Sequence, residues 1–238
     1  MAATGDKEKA LAERLHAVRD RIACAARAAG RNPQSVRLIA VSKFHPARAV
    51  AALAAAGQLD FGESYVQEAC VKQAELAYLA LRWHCIGHIQ TNKVKNMVGR
   101  FTYIHSMDSL KLAQALRRHI SDLTRQQVLI QVNVGNEEQK FGVHPEELPV
   151  LAEHVARMPE FDLAGLMCLP PFFESGARAR PYFALLRELC ERLRTRLGLA
   201  LPELSMGMSG DFVEAVAEGA TLVRIGTDIF GPRPMQRA

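Results

Sequence analysis

The chain has 238 residues, 49% of them hydrophobic and 23% charged, with a net charge of +5. That balance fits a globular domain and argues against a disordered chain. No apolar stretch approaches the roughly 20 residues that span a bilayer, and Met1 to Lys9 is polar with no apolar run behind it, so neither a membrane anchor nor a secretory signal is expected.

The predicted elements alternate from end to end. Asp6 to Ala29 reads as an alanine- and arginine-rich helix closed by Gly30. Val36–Ser42 is an almost continuous apolar run, which predicts a strand buried on both faces, and Pro46–Ala56 reads as a helix entered through proline. Asp60–Glu63 is a short second strand, followed by a helix from Tyr65 to about Ala80. Trp83–Gly87 is a third strand with a helix over Thr91–Val98, and Phe101–His105 a fourth, with Asp108 capping a helix that runs to about Ser121.

The second half repeats the pattern. Gln127–Val134 is the fifth strand, Glu137–Gly142 a polar loop, and Pro145–Met158 a helix. Leu163–Met167 is the sixth strand, Pro170–Pro171 opens a loop, and Arg178–Leu197 is a long helix. Glu203–Met206 is the seventh strand, Asp211–Glu218 a helix ending at Gly219, and Thr221–Ile225 the eighth strand. Eight strands alternating with helices in this length predict a (β/α)₈ barrel, with a doubly wound open sheet as the competitor.

The cysteines, Cys24, Cys70, Cys85, Cys168 and Cys190, are odd in number and form no C-x-x-C pair. That argues against a zinc site or a disulfide framework and for a reducing compartment, so the cytoplasm is expected. Arg14, Arg21, Arg117, Arg187 and Arg194 are scattered over helix faces among acidic neighbours, which reads as solvated surface rather than a nucleic-acid footprint. His84 and His88 fall on a strand and its exit loop. No carboxylate completes a metal motif there, so they read as hydrogen-bonded histidines near the barrel mouth, and no metal is expected.

Lys43 carries the most chemistry. It follows the first buried strand, where α/β folds place their active groups, and desolvation there makes an amine nucleophilic toward a carbonyl. The same residues also fit a solvated lysine at a strand end. The loops after strands seven and eight, Met206–Asp211 and Gly226–Asp228, each combine glycine with a hydroxyl, Ser209 and Thr227. Barrels often bind phosphate at this pair of loops, although each alone also fits an ordinary helix N-cap. Arg224 interrupts the apolar eighth strand and needs a partner or a polar cavity. A lysine, a phosphate cradle and an arginine are the parts of a pyridoxal phosphate (PLP) site. Lys140 could approach it as a second lysine, although it also fits a solvated loop. Tyr65 and Tyr103 could act as acid–base groups but read better as aromatic packing, and His45 could titrate nearby but reads better as an exposed loop histidine.

Lys43, Ser209, Arg224, Gly226 and Thr227 lie in stretches that resemble the YggS/PROSC-type pyridoxal 5′-phosphate homeostasis proteins. The stretches are Ala40-Val41-Ser42-Lys43, Asp60–Glu63, Trp83–Lys93, Val132–Gly135, Gly165–Met167, Leu204–Ser209, Val223–Thr227 and Phe230-Gly231, in family order over about residues 36–233. The resemblance implies a single barrel like the N-terminal half of alanine racemases: residues 1–35 as N-terminal helix and entry, 36–231 as barrel, 232–238 as a short tail. It implies that Lys43 holds PLP as a Schiff base, that Ser209, Gly226 and Thr227 bind the phosphate, that Arg224 faces the pyridine nitrogen and that Met206 lines the ring pocket. Ser64 stands at a cofactor-facing place where the family has asparagine, so its shorter side chain implies a contact through water. Lys43 is followed by Phe44-His45, where the family commonly has small or polar residues.

The implied function is PLP homeostasis, buffering or delivering the cofactor without significant catalysis. PLP-dependent apo-enzymes are the implied recipients, and the protein is expected to be a monomer that binds neither nucleic acid nor membrane. A PLP-dependent racemase-like enzyme is the alternative reading, and a barrel for a plain sugar phosphate a further one.

Overall fold

The computed structural model describes residues 2–120, 125–173 and 175–232. The expected helix end at Ser121 and all but the first residue of the tail lie outside them. Eight parallel strands close on themselves in chain order: β1 (Arg37–Val41), β2 (Asp60–Glu63), β3 (Arg82–Cys85), β4 (Tyr103–Met107), β5 (Gln126–Val132), β6 (Phe161–Cys168), β7 (Glu203–Ser205) and β8 (Leu222–Ile225). Strand β1 pairs with β2 on one side, Ala40 opposite Phe61, and with β8 on the other, Ile39 opposite Arg224. That closure makes the fold a (β/α)₈ barrel and removes the open-sheet alternative.

The helices are α1 (Ala2–Ala28), α2 (Ala47–Ala55), α3 (Val66–Glu75), α4 (Leu110–Arg117), α5 (Leu148–Ala156), α6 (Arg180–Leu197), α7 (Phe212–Ala217) and α8 (Thr227–Phe230). Several are shorter than expected. Helix α3 stops at Glu75, and Thr91–Asn96 is a 3₁₀ helix. That segment buries only Val94, so it lacks the apolar stripe that sustains an α-helix. Ser109, not Asp108, caps α4: its hydroxyl accepts the Leu112 N–H, while Asp108 accepts the Ser109 hydroxyl and faces His88. Pro145–Glu147 precedes α5 rather than opening it.

Because strand side chains alternate, the sheet builds two cores. The outer one lies between strands and helices and includes Phe61, Ile104, Ile130, Leu166 and Val223. The inner one fills the barrel with Ile39, Tyr103, Leu129, Ala164, Met167 and Leu222. Helix α1 adds Leu11, Leu15, Val18 and Ile22, spaced three and four apart, to the outer core. Its polar edge ties down α8: Arg14 donates to the Ile229 carbonyl and Arg21 pairs with Asp228 at 2.6 Å. Thr227, the first residue of α8, is next to the Asp228 anchor.

Candidate functional site

A cavity of about 550 Å³ lies at the carboxyl ends of the strands. Lys43 enters it from the exit of β1, Ser64 from β2, Gly87 and His88 from β3, Phe141 from beyond β5, and Leu169 and Phe172 from beyond β6. Met208, Ser209 and Gly210 follow β7, and Gly226 and Thr227 follow β8. Arg224 reaches it from within β8. Of the residues predicted from sequence, Lys43, Ser64, Ser209, Arg224, Gly226 and Thr227 therefore share one cavity. Met206 is buried in the outer core, and Met208 is the methionine that lines the cavity wall. His45 also lines it, stacked on Phe230 at 4.7 Å between ring centroids.

The segment that carries Lys43 is held on both sides. The buried Lys72 of α3 donates to the Ser42 carbonyl and to Glu63 Oε1, both at 2.7 Å, and Ser42 Oγ donates to the same Glu63 oxygen at 2.6 Å. Glu68, one turn before Lys72, accepts from Lys72 Nζ and from the Phe44 backbone N–H. Phe44 has φ of 68°, a conformation that costs a bulky residue energy and needs such bonds to persist. Burial raises the Glu63 pKa against the opposing pull of Lys72 and Ser42. None of this clamp was legible in the sequence, although a carboxylate ending a buried strand and a lysine on the inner face of α3 were its traces.

The neighbouring exits come very close. A Cβ on Gly87 would sit 2.3 Å from the Ser64 carbonyl oxygen, so glycine is required for the β2 and β3 loops to meet beside Lys43. After β7, Gly207 at φ of 90° turns the chain into the Ser209 loop. There Asp211 Oδ1 accepts the Met208 N–H at 2.6 Å, while the Asp211 and Phe212 N–H groups go to the Met208 carbonyl. Among the described residues, the N–H groups of Ser209, Gly210 and Thr227 are given to no protein acceptor. Donors of this kind beside glycine form a concave anion cradle.

Arg224 is 3% exposed. Its Nη1 donates to Ser205 Oγ at 2.6 Å and its Nη2 to the Cys168 carbonyl at 2.9 Å. Both acceptors are neutral, and no carboxylate lies within ion-pair distance among the described residues. Burial lowers its pKa, with Cys168 and Asp211 pulling the other way. A buried cation with no carboxylate in contact, at the wall of a cavity, is suited to an acceptor supplied by a ligand. Together with the cradle and Lys43, it fits the ring nitrogen, phosphate and aldehyde of PLP.

His88 lines the rim, with Nδ1 3.3 Å from Asp108 Oδ2 and its ring stacked on Phe141. His84 does not reach the mouth. It is fully buried inside the barrel beside His105, a pairing missed in the sequence. The signal was there, because each is a polar residue flanked by apolar ones, Trp83 and Cys85 around His84 and Ile104 before His105. Lys140 pairs with Glu137 at 2.5 Å and donates to the Pro170 carbonyl, and Tyr65 packs on Phe44. Neither lines the cavity. Among the described residues there is no cluster suited to a metal ion and no helix long and apolar enough to cross a membrane.

The model of the family "Alanine racemase, N-terminal domain" matches residues 14–234. A pyridoxal phosphate homeostasis protein of Pseudomonas aeruginosa is 50% identical over 224 residues, covering 94% of this chain and 96% of that protein. A pyridoxal phosphate homeostasis protein of Aquifex aeolicus is 45% identical, with 93% and 97% covered. Among solved structures, PipY of Synechococcus elongatus with PLP bound is 40% identical, has a TM-score of 0.82, and covers 93% of this chain and all of its own. Alanine racemase of Corynebacterium glutamicum shares the fold at a TM-score of 0.73 with 17% identity, and only 63% of its length is matched.

Proposed function

The chain belongs to the pyridoxal phosphate homeostasis protein family, on the alanine racemase N-terminal fold, and from that membership we propose that it binds PLP covalently at Lys43 and serves PLP homeostasis as a carrier. The carrying observation is a single cavity that gathers Lys43, a buried arginine without a carboxylate, and two loops with free N–H groups and hydroxyls.

When bound, PLP supplies an electrophilic aldehyde, a pyridine ring and a phosphate dianion. Lys43 offers the amine that attacks such an aldehyde. The Lys72–Glu63–Ser42 cluster and Glu68 fix the backbone on either side of it, which keeps the amine over one part of the cavity. Ser209, Gly210, Gly226 and Thr227 take the phosphate through hydroxyl and backbone N–H groups. Arg224 would hold the ring nitrogen as a donor that gives up no proton, which would withhold the electron sink that carbanion chemistry requires. Ser64 supports the ring side. Met206 acts from beneath the cavity, through the wall that ends in Met208.

In this reading the protein works in the cytoplasm, where Cys24, Cys70, Cys85, Cys168 and Cys190 remain thiols, as they are here. It acts as a monomer and hands PLP to PLP-dependent apo-enzymes. The exposed Phe141, Phe172 and Met208 at the rim leave the cavity open for that exchange. Borohydride reduction of the PLP-loaded protein and peptide mapping are expected to find a pyridoxyl group on Lys43 and none in Lys43→Ala. An adduct confined to Lys93 or Lys140 overturns the assignment.

A racemase-like enzyme is the second reading, favoured by His88, which lines the cavity with Asp108 behind it. The carrier reading is preferred because Phe141 covers the His88 ring and because Arg224, which only donates, would leave a ring nitrogen facing it unprotonated. Incubation with L-alanine in deuterated water is expected to give only slow exchange. Turnover in the usual enzyme range of roughly 1–10³ per second would establish the racemase instead.

A further inference from the structure

A line of buried polar side chains runs from the cavity through the barrel to its opposite end. Arg224 Nη1 lies 2.6 Å from Ser205 Oγ, and Ser205 Oγ lies 2.8 Å from His105 Nδ1. His105 Nε2 lies 2.9 Å from His84 Nδ1, and His84 Nε2 lies 3.0 Å from Asp60 Oδ1. The five residues belong to β8, β7, β4, β3 and β2. Strands β4 and β7 are not neighbours but lie three places apart around the closed barrel, so the His105–Ser205 bond crosses its interior. Asp60 is anchored at the far end by both Nε and Nη2 of Arg82.

Chemistry fixes the direction of every bond in this line. An ionised carboxylate only accepts, so His84 Nε2 carries the proton given to Asp60. A neutral His84 then accepts at Nδ1, which makes His105 Nε2 a donor and His105 Nδ1 an acceptor. Ser205 must therefore give its one proton to His105, and its lone pairs remain for Arg224, which only donates. The groups around the two rings favour neutrality. Burial acts on both, Arg37 and Arg82 oppose a charge on His84, and Arg37 and Arg224 oppose one on His105; Asp60 alone among these favours charging His84. Tyr103, stacked on His84 with centroids 5.1 Å apart, completes the enclosure.

We propose that Asp60, His84, His105 and Ser205 form a one-way hydrogen-bond relay that positions Arg224 and couples its cation to a carboxylate at the opposite end of the barrel. All four act through Arg224, and none of the four lines the cavity as Arg224 does. The relay supplies the buried arginine with a distant counter-charge while leaving its cavity side for a ligand. It polarises Ser205 into a stronger acceptor and holds the guanidinium in one orientation. The part of this inference that concerns the bound cofactor rests on the PLP reading above; the relay itself does not.

The test is long-range ¹H–¹⁵N correlation on the full chain with labelled histidine, with and without PLP, at neutral pH. His84→Gln and His105→Gln assign the signals. Both rings are expected to be neutral with the proton on Nε2. An Nδ1–H tautomer or an imidazolium at either position overturns the relay. Coupling to the site is read from the absorption band and dissociation constant of bound PLP in Asp60→Asn, which keeps the shape but frees the direction. A shifted band and about twofold to thirtyfold weaker binding are expected, the span of typical long-range couplings. Glu218→Gln serves as the control, since Glu218 is a buried carboxylate paired with Arg180 and Arg187 outside the line. An unmoved band in Asp60→Asn, or an equal shift in both variants, overturns the coupling. If the protein takes up no PLP at all, the carrier reading fails and the tautomers alone decide the relay.

Discussion

Two buried cations flank the site, and their surroundings differ in kind. Lys72 is 4% exposed and meets two carboxylates, Glu63 and Glu68, each at 2.7 Å. Arg224 is 3% exposed and meets none, only a hydroxyl and a carbonyl. A charge neutralised within the fold is committed to the fold. A charge held by neutral acceptors at a cavity wall remains available to something that enters. The contrast separates the group that shapes the Lys43 loop from the group that faces a ligand, although both are basic, buried and close to the same strand ends.

The comparison breaks most visibly at Lys72. Lys72→Met leaves Glu63 buried without its cation, and losses of this kind cost about 3–5 kcal/mol. Urea unfolding should show that loss, and the Lys72→Met, Glu63→Gln pair should recover most of it. A double variant as weak as the single one would show that the cluster does more than balance charge.

Arg224→Gln should behave in the opposite sense. It relieves a desolvated cation that has no ion pair, so the unfolding free energy of the apo-protein should change by under about 1.5 kcal/mol. Retention of PLP should fall by the worth of a hydrogen bond to a charged group, about 1.5–3 kcal/mol, or roughly tenfold to a hundredfold. Ser209→Ala should cost a similar amount for PLP and little for pyridoxal, which lacks the phosphate. Equal losses for the two vitamers would show that the Ser209 loop is an ordinary turn. Equilibrium dialysis at fixed salt separates these outcomes.

The barrel was legible because its signals are local. Buried strands such as Val36–Ser42 read as apolar runs, and Gly30, Gly57 and Gly219 punctuate the helices. The placement of Lys43, Ser209 and Thr227 around one cavity was legible because they follow strand ends, which a barrel gathers at one mouth. Contacts between strands distant in sequence were not. His105 and Ser205 are 100 residues apart, and nothing local to either predicts that they meet. The Asp108 cap failed for a smaller reason: Ser109 next to it is an equally good cap, and His88 draws the carboxylate away. Met206 and Met208 show the limit of alternation, since two residues apart on a bent loop one is core and the other cavity wall.

The smallest expected effect is on pH dependence, and it concerns the remote end of Arg224's hydrogen-bond line. Burial alone would raise the Asp60 pKa, but the bonds from Arg82 and His84 outweigh it and hold the carboxyl well below its usual range. A carboxylate with a depressed folded pKa adds stability above its unfolded pKa and loses it as pH falls toward the folded one. Asp60 should therefore contribute fully at neutral pH and progressively less below about pH 4. One group supplies at most one proton, so its share of the slope is at most about 1.4 kcal/mol per pH unit. Asp60→Asn should be less stable than the parent at pH 7, and the gap should narrow steadily on acidification, measured as urea midpoints from pH 7 to 3. A gap that stays constant with pH would mean that the charge of Asp60 does not stabilise the barrel, and the relay would then bring Arg224 no counter-charge beyond Asp211.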